Sequence, residues 1–84
     1  MIERAGIMND IRQIRQRILE RYQRDPQIRV NVSIARLHLN DIPVKISGVY
    51  AHIFQVEESS SGLTKRYTLQ YTDVLTHNIE ILDM

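Results

Sequence analysis

The chain contains no cysteine and no tryptophan. Without Cys, disulfide staples and Cys-based zinc or iron–sulfur sites are excluded, and the composition suits a reducing compartment. Its three glycines, Gly6, Gly48 and Gly62, are scattered, so no glycine-rich loop exists to cradle a phosphate. The histidines His38, His52 and His77 lack metal-binding spacing, such as a pair at i and i+4. No Ser sits in a nucleophile motif. No apolar run approaches the ~18–20 residues of a membrane span. Met1 to Gly6 lacks the basic-then-apolar layout of a signal peptide. These absences predict a cytoplasmic protein with no membrane contact, no catalytic group, no metal and no cofactor.

What remains is 84 residues, read as one domain over 1–84. A chain this short buries only about 60–65% of the surface its unfolded form exposes. With disulfides and metals set aside, self-association is the remaining route to added stability, so a homodimer is expected. The net charge is +1, but it is unevenly spread. Residues 1–42 hold eight arginines against five acids, and residues 43–84 hold three basic residues against five acids.

Asn9 and Asp10 are good helix starters, because short side-chain oxygens accept from free first-turn N–H groups and an acid suits the positive helix end. Ile11, Ile14, Ile18 and Tyr22 then recur at helical spacing. Asp25-Pro26 ends the run, since the residue before Pro is pushed out of the α region. The pattern predicts a helix over 9–24, with 1–8 flexible and 27–84 forming the β part.

Ile28, Val30, Val32 and Ile34 alternate with polar residues, a strong strand signal. Leu37 and Leu39 alternate out of phase by one residue, which predicts a bulge or bend near Ala35-Arg36. Asn40-Asp41-Ile42-Pro43 is turn chemistry. Val44 to Tyr50 gives the next strand, with Gly48 as a bend. His52, Phe54 and Val56 mark the third, and Glu58 to Gly62 reads as a flexible hairpin loop. Tyr67, Leu69 and Tyr71 line one face of a fourth strand. Thr72-Asp73 then turns the chain toward a fifth at Asn78 to Leu82. One helix followed by five short, consecutively joined strands predicts a mainly β fold: a small, partly open five-stranded barrel behind an N-terminal α-helix.

The strings Arg66-Tyr67-Thr68-Leu69-Gln70-Tyr71-Thr72-Asp73-Val74-Leu75-Thr76 and Asn78-Ile79-Glu80-Ile81 resemble the C-terminal block of the Veg family of small bacterial proteins. Ser47-Gly48-Val49-Tyr50, Phe54-Gln55-Val56 and Asp10-Ile11-Arg12 fall where that family has similar residues. The similarity runs over residues 9 to 82. It implies an SH3-like barrel preceded by a helix, in a cytoplasmic protein of Gram-positive bacteria linked to regulation of gene expression and biofilm formation. One departure marks a divergent member. Where the family carries a Gly-Gly-Arg-Lys-like loop, residues 35–45 keep only Arg36 and Lys45 as basic residues.

The candidate contact residues are Arg12, Arg15, Arg17, Arg21 and Arg24 on the helix, with Arg29, Arg36 and Lys45 beyond it. A guanidinium offers a fork of donors that matches carboxylates and phosphates. The same set also reads as a solvated helix face paired locally with Glu20 and Asp10. Two partner classes follow: a protein, or a nucleic acid gripped through its phosphates. Tyr50, Phe54, Tyr67 and Tyr71 could stack bases. The last three are in phase with aliphatic neighbours, which favours core packing.

Overall fold

The computed structural model describes residues 2–60 and 62–83. Helix α1 (Ile2–Arg24) precedes strands β1 (Gln27–Ile34), β2 (Leu37–Val49), β3 (Ile53–Ser60) and β4 (Leu63–Gln70). A five-residue helix α2 (Tyr71–Leu75) then leads into β5 (Ile79–Ile81). The strands form one antiparallel sheet in the order β4-β3-β2-β1-β5. β4 and β5 are its two edges, and α2 carries the chain between them. The sheet does not close, as expected of a partly open barrel. Among the described residues no helix is long and apolar enough to cross a membrane.

α1 begins at Ile2, not at Asn9. Asn9 and Asp10 are therefore interior helical positions rather than a cap, and the segment expected to be flexible continues the helix. At 1.5 Å per residue its 23 residues span about 34 Å. Ile18 is fully buried, and Ile11 and Ile14 pack against the core. Tyr22, expected on the same stripe, is 40% exposed.

The first hairpin also differs from expectation. The chain turns at Ala35-Arg36, and Leu37 already pairs with Ile34. The sequence offset at Leu37 and Leu39 reflects this turn. The bulge lies further on, where Val30 faces Ile42 and Val32 faces Leu39, so Asn31 stands opposite both Asn40 and Asp41. Asp41 takes φ 54°, a left-handed conformation that Asp tolerates. Its N–H donates to Asn31 Oδ1 at 2.6 Å, replacing the ladder bond the bulge removes. Turn-like chemistry thus serves inside a long strand. Pro43 is tolerated there because Arg29 opposite it spends its backbone bonds on the segment after β5, accepting at its carbonyl from the Leu82 N–H and donating from its N–H to Asp83 Oδ1.

A second irregularity falls at Ser47, between the pairs Ile46–Val56 and Gly48–Gln55. A Cβ on Gly48 would lie 2.7 Å from the Tyr50 ring, so a larger residue there would displace this exposed ring. β3 and β4 pair as far as Ser60 and Leu63, with Gly62 at φ 81° in the turn. Glu58 to Ser60 are therefore strand rather than loop. Ile28, Val30, Val32, Val44, Ile46, Phe54, Val56, Leu69, Tyr71 and Ile79 complete the core with Ile18.

Candidate partner-binding surface

The C-terminal block is held from within. Tyr71 is 1% exposed, and its ring stacks on Phe54 at 5.5 Å. Its hydroxyl donates to the Tyr50 carbonyl at 2.6 Å. Burial pushes the Tyr71 hydroxyl pKa above its ordinary value. Gln70 precedes α2 without a side-chain cap, so the buried Tyr71, rather than Thr72-Asp73, fixes where this helix begins. Asp73 lies in its first turn, where a carboxylate suits the helix dipole, and accepts from Asn78 Nδ2 at 3.5 Å. Thr76 closes the helix by donating from its hydroxyl to the Thr72 carbonyl at 3.0 Å. His77 follows at φ 66°, in the left-handed position that often ends helices, and its N–H donates to the Val74 carbonyl.

The adjacent strands are pinned in the same way. Arg66 donates to Glu57 across the β3–β4 pair, at 3.0 and 3.2 Å. The Tyr67 hydroxyl donates to Glu58 at 3.1 Å. Burial, helped by this carboxylate, raises the Tyr67 pKa. Of the expected aromatic set, Phe54 and Tyr71 are core, Tyr67 is half-buried, and Tyr50 is 52% exposed.

The eight basic candidates divide into groups. Arg21 turns inward. It donates to the Gln27 and Asp83 carbonyls at 2.6 Å each and to the Asp25 carbonyl at 3.3 Å. Its side chain is only 12% exposed, so it ties the end of α1 to the start of β1 and to the C-terminal segment. Arg29 pairs with Asp41 at 2.8 Å on the open surface. The paired hydrogen bond raises the Arg29 pKa and lowers that of Asp41. Arg15 donates to the Ala51 carbonyl at 3.3 Å. Arg12, Arg17, Arg24, Arg36 and Lys45 are exposed and form no ion pair with a described carboxylate. The helix period places Arg17 and Arg24 on the flank toward β5 and Arg12 on the other.

Packing creates surfaces that spacing does not reveal. α1 rests chiefly on α2 and β2. A groove of about 430 Å³ opens between α1, α2 and β5, lined by Ile14, Arg17, Val74, Leu75 and Ile81 among others. Beside it, Arg17, Arg21 and Arg24 border a second depression with Glu20 and Asp83. His38 and His77, remote in sequence, line a third with Asn31, Asn78 and Glu80. Among the described residues, no three His, Cys, Asp or Glu side chains are placed to hold a metal.

A family model described as biofilm formation stimulator Veg matches residues 9–82. The match includes the C-terminal block, α1 from Asn9 onward and every strand between them. That description supports a regulatory role in biofilm formation. No curated protein matches the chain, and no solved structure does. With nearly its whole length accounted for by one family model and a helix-plus-open-barrel fold to match, the chain belongs to the Veg family of biofilm formation stimulators.

Proposed function

We propose that this protein is a non-enzymatic regulator that acts by binding a partner macromolecule, and that the arginines of α1 make the contact. The observation that carries this reading is the division of the arginines. Arg21 is tied to backbone carbonyls and Arg29 and Arg66 are paired with carboxylates of the same chain on its surface, whereas Arg12, Arg17 and Arg24 extend from one helix with no ion pair to a described carboxylate. A guanidinium left unpaired on a rigid helix keeps its five donors available for carboxylates. A protein partner is favoured over a nucleic acid. Arg29, which would extend the basic surface onto the sheet, is neutralised by Asp41, and the overall charge is +1. Gene regulation would follow from capture of a regulatory protein rather than from direct contact with DNA.

The test is replacement of Arg12, Arg17 and Arg24 together by Glu, assayed by biofilm formation in a strain lacking the native protein. The variant is expected to fold normally by circular dichroism and fail to restore biofilm. Full restoration would sink the proposal. Polarisation titrations with RNA and DNA at two salt concentrations separate the partner classes. Phosphate-mediated binding weakens by roughly one power of the salt ratio for each phosphate contacted. Such binding, lost in the triple variant, would move the reading to a nucleic acid.

A further inference from the structure

We infer that the free edge of β5 accepts a short, extended, acidic segment of a partner protein in the groove beside α1. This rests on the reading above that the α1 arginines face a protein partner. β5 is an edge strand whose ladder runs only to β1. The Ser33 N–H donates to the Asn78 carbonyl, and the Leu82 N–H donates to the Arg29 carbonyl. In an antiparallel ladder backbone groups alternate in direction. Asn78, Glu80 and Leu82 therefore face β1, while Ile79, Ile81 and Asp83 face outward.

The three outward positions have different surroundings. Ile79 is buried where α2 meets β5. The Asp83 carbonyl is occupied by Arg21 at 2.6 Å. Ile81 lies between them, half-buried, and lines the groove with its outward N–H and C=O unpaired by the sheet. From 79 to 83 an extended chain covers about 13 Å at ~3.3 Å per residue. A segment of about four residues fits that length and a groove of about 430 Å³.

The walls specify its chemistry. Ile14, Val74, Leu75 and Ile81 offer apolar contact to alternate side chains. Arg17 at the rim, with Arg24 beyond it, carries no ion pair to a described carboxylate. Glu80 also lines the groove, but it forms no ion pair with Arg17, and its carboxylate accepts from Asn31 Nδ2 at 3.3 Å on the β1 side. The opposite edge is unlike this one. β4 presents Lys65 and Arg66, the type of charge that guards an edge against added strands, whereas β5 carries no Lys or Arg and has Glu80 between its two isoleucines.

The experiment selects displayed random peptides on the full-length protein, then titrates a selected peptide into isotope-labelled protein by NMR. Selected sequences should alternate apolar residues and carry at least one Asp or Glu. They should perturb the Ile14, Arg17, Val74 and Ile81 amides and slow exchange of the Ile81 amide at least tenfold. Ile81→Pro removes an outward N–H that the sheet does not use, together with the isoleucine side chain at the groove wall. It should retain the ladder to β1 and weaken peptide binding at least tenfold, whereas Ile81→Val, which keeps the N–H, should weaken it less. Arg17→Glu should weaken it at least threefold. The inference is overturned if no peptide is enriched, if selected peptides follow helical spacing, or if Ile81 is unperturbed. Equal binding by a folded Ile81→Pro protein also overturns it. Should that variant not fold, amide exchange at Ile81 in the unaltered protein decides alone. An unperturbed Ile81 leaves the arginine reading standing, whereas full biofilm restoration by the triple arginine variant sinks that reading whatever Ile81 does.

Discussion

Residues 63–82 and helix α1 are both rich in polar side chains, but those side chains are placed differently. In the C-terminal block Tyr71 bonds to the Tyr50 carbonyl, Thr76 to Thr72, Asn78 to Asp73, Tyr67 to Glu58 and Arg66 to Glu57. Among the described side chains of α1, only Arg21 is deeply engaged, and Arg12, Arg17 and Arg24 extend into solvent. A distinctive sequence string therefore marks architecture, while an ordinary-looking helix carries the exposed arginines on which the proposed partner contact rests. Of these groups Tyr71 is buried, and a buried polar group must find a partner, which fixes its identity tightly, whereas exposed charges contribute little to folding.

The contrast is broken most directly in the core. Ile18→Asp places a charge in a fully buried site and is expected to unfold the protein, read as loss of cooperative urea unfolding. Tyr71→Ala removes the ring stacked on Phe54 and should cost ~3–5 kcal/mol. Tyr71→Phe keeps the ring but strands the Tyr50 carbonyl, costing ~1–2 kcal/mol in denaturant titration.

Within α1 the same contrast recurs at smaller scale. Arg21→Ala loses two 2.6 Å bonds to carbonyls and should cost about 1–3 kcal/mol. Arg17→Ala should stay within about 0.5 kcal/mol of the unaltered protein, as surface changes usually do. Equal losses for the two would mean that Arg17 is structural, and the distinction between tied and exposed arginines on α1 would collapse.

The smallest effects are in pH dependence. Burial raises the Tyr71 pKa in the folded state, so the unfolded chain releases its proton first as pH climbs. Stability is then fully present below the unfolded tyrosine value near 10 and declines as pH rises through the folded value. Tyr71→Phe should remove this part of the alkaline decline in melting scans. Asp41 has the opposite sign. Its pairing with Arg29 lowers its folded pKa, so its contribution holds above the ordinary carboxylate range and fades as pH falls through the folded value. Asp41→Asn keeps a residue that tolerates φ 54° while removing the charge, and should flatten that acidic slope slightly.

Much of the strand content was legible because alternation of apolar residues has a direct cause: one face of each strand is buried. Ile28, Val30 and Val32, then Phe54 and Val56, then Leu69, are buried as their phase required. The boundaries were less legible. Asn40-Asp41 carries turn chemistry yet sits in a bulge, because Asn31 and Arg29 on the neighbouring strand satisfy it there. The N-terminal end of α1 was placed too late, because Asn9 and Asp10 suit a cap but are also tolerated within a helix.

The eight basic residues were visible from spacing, but spacing treats Arg17 and Arg21 alike. Only the approach of Gln27 and Asp83 to the end of α1 turns Arg21 inward. The groove at Ile81 left no local signal, since its walls come from residues 14, 17, 74, 75 and 81.

The amino-acid sequence alone thus determined the class of fold, the family resemblance and the concentration of arginine in the first half. These depend on residue type and spacing, which local sterics and burial translate directly into helix and strand. Tertiary structure decided which arginines are free, where the first hairpin turns, and that the β5 edge opens beside α1. Those outcomes depend on contacts between segments distant along the chain, and no local pattern records such contacts.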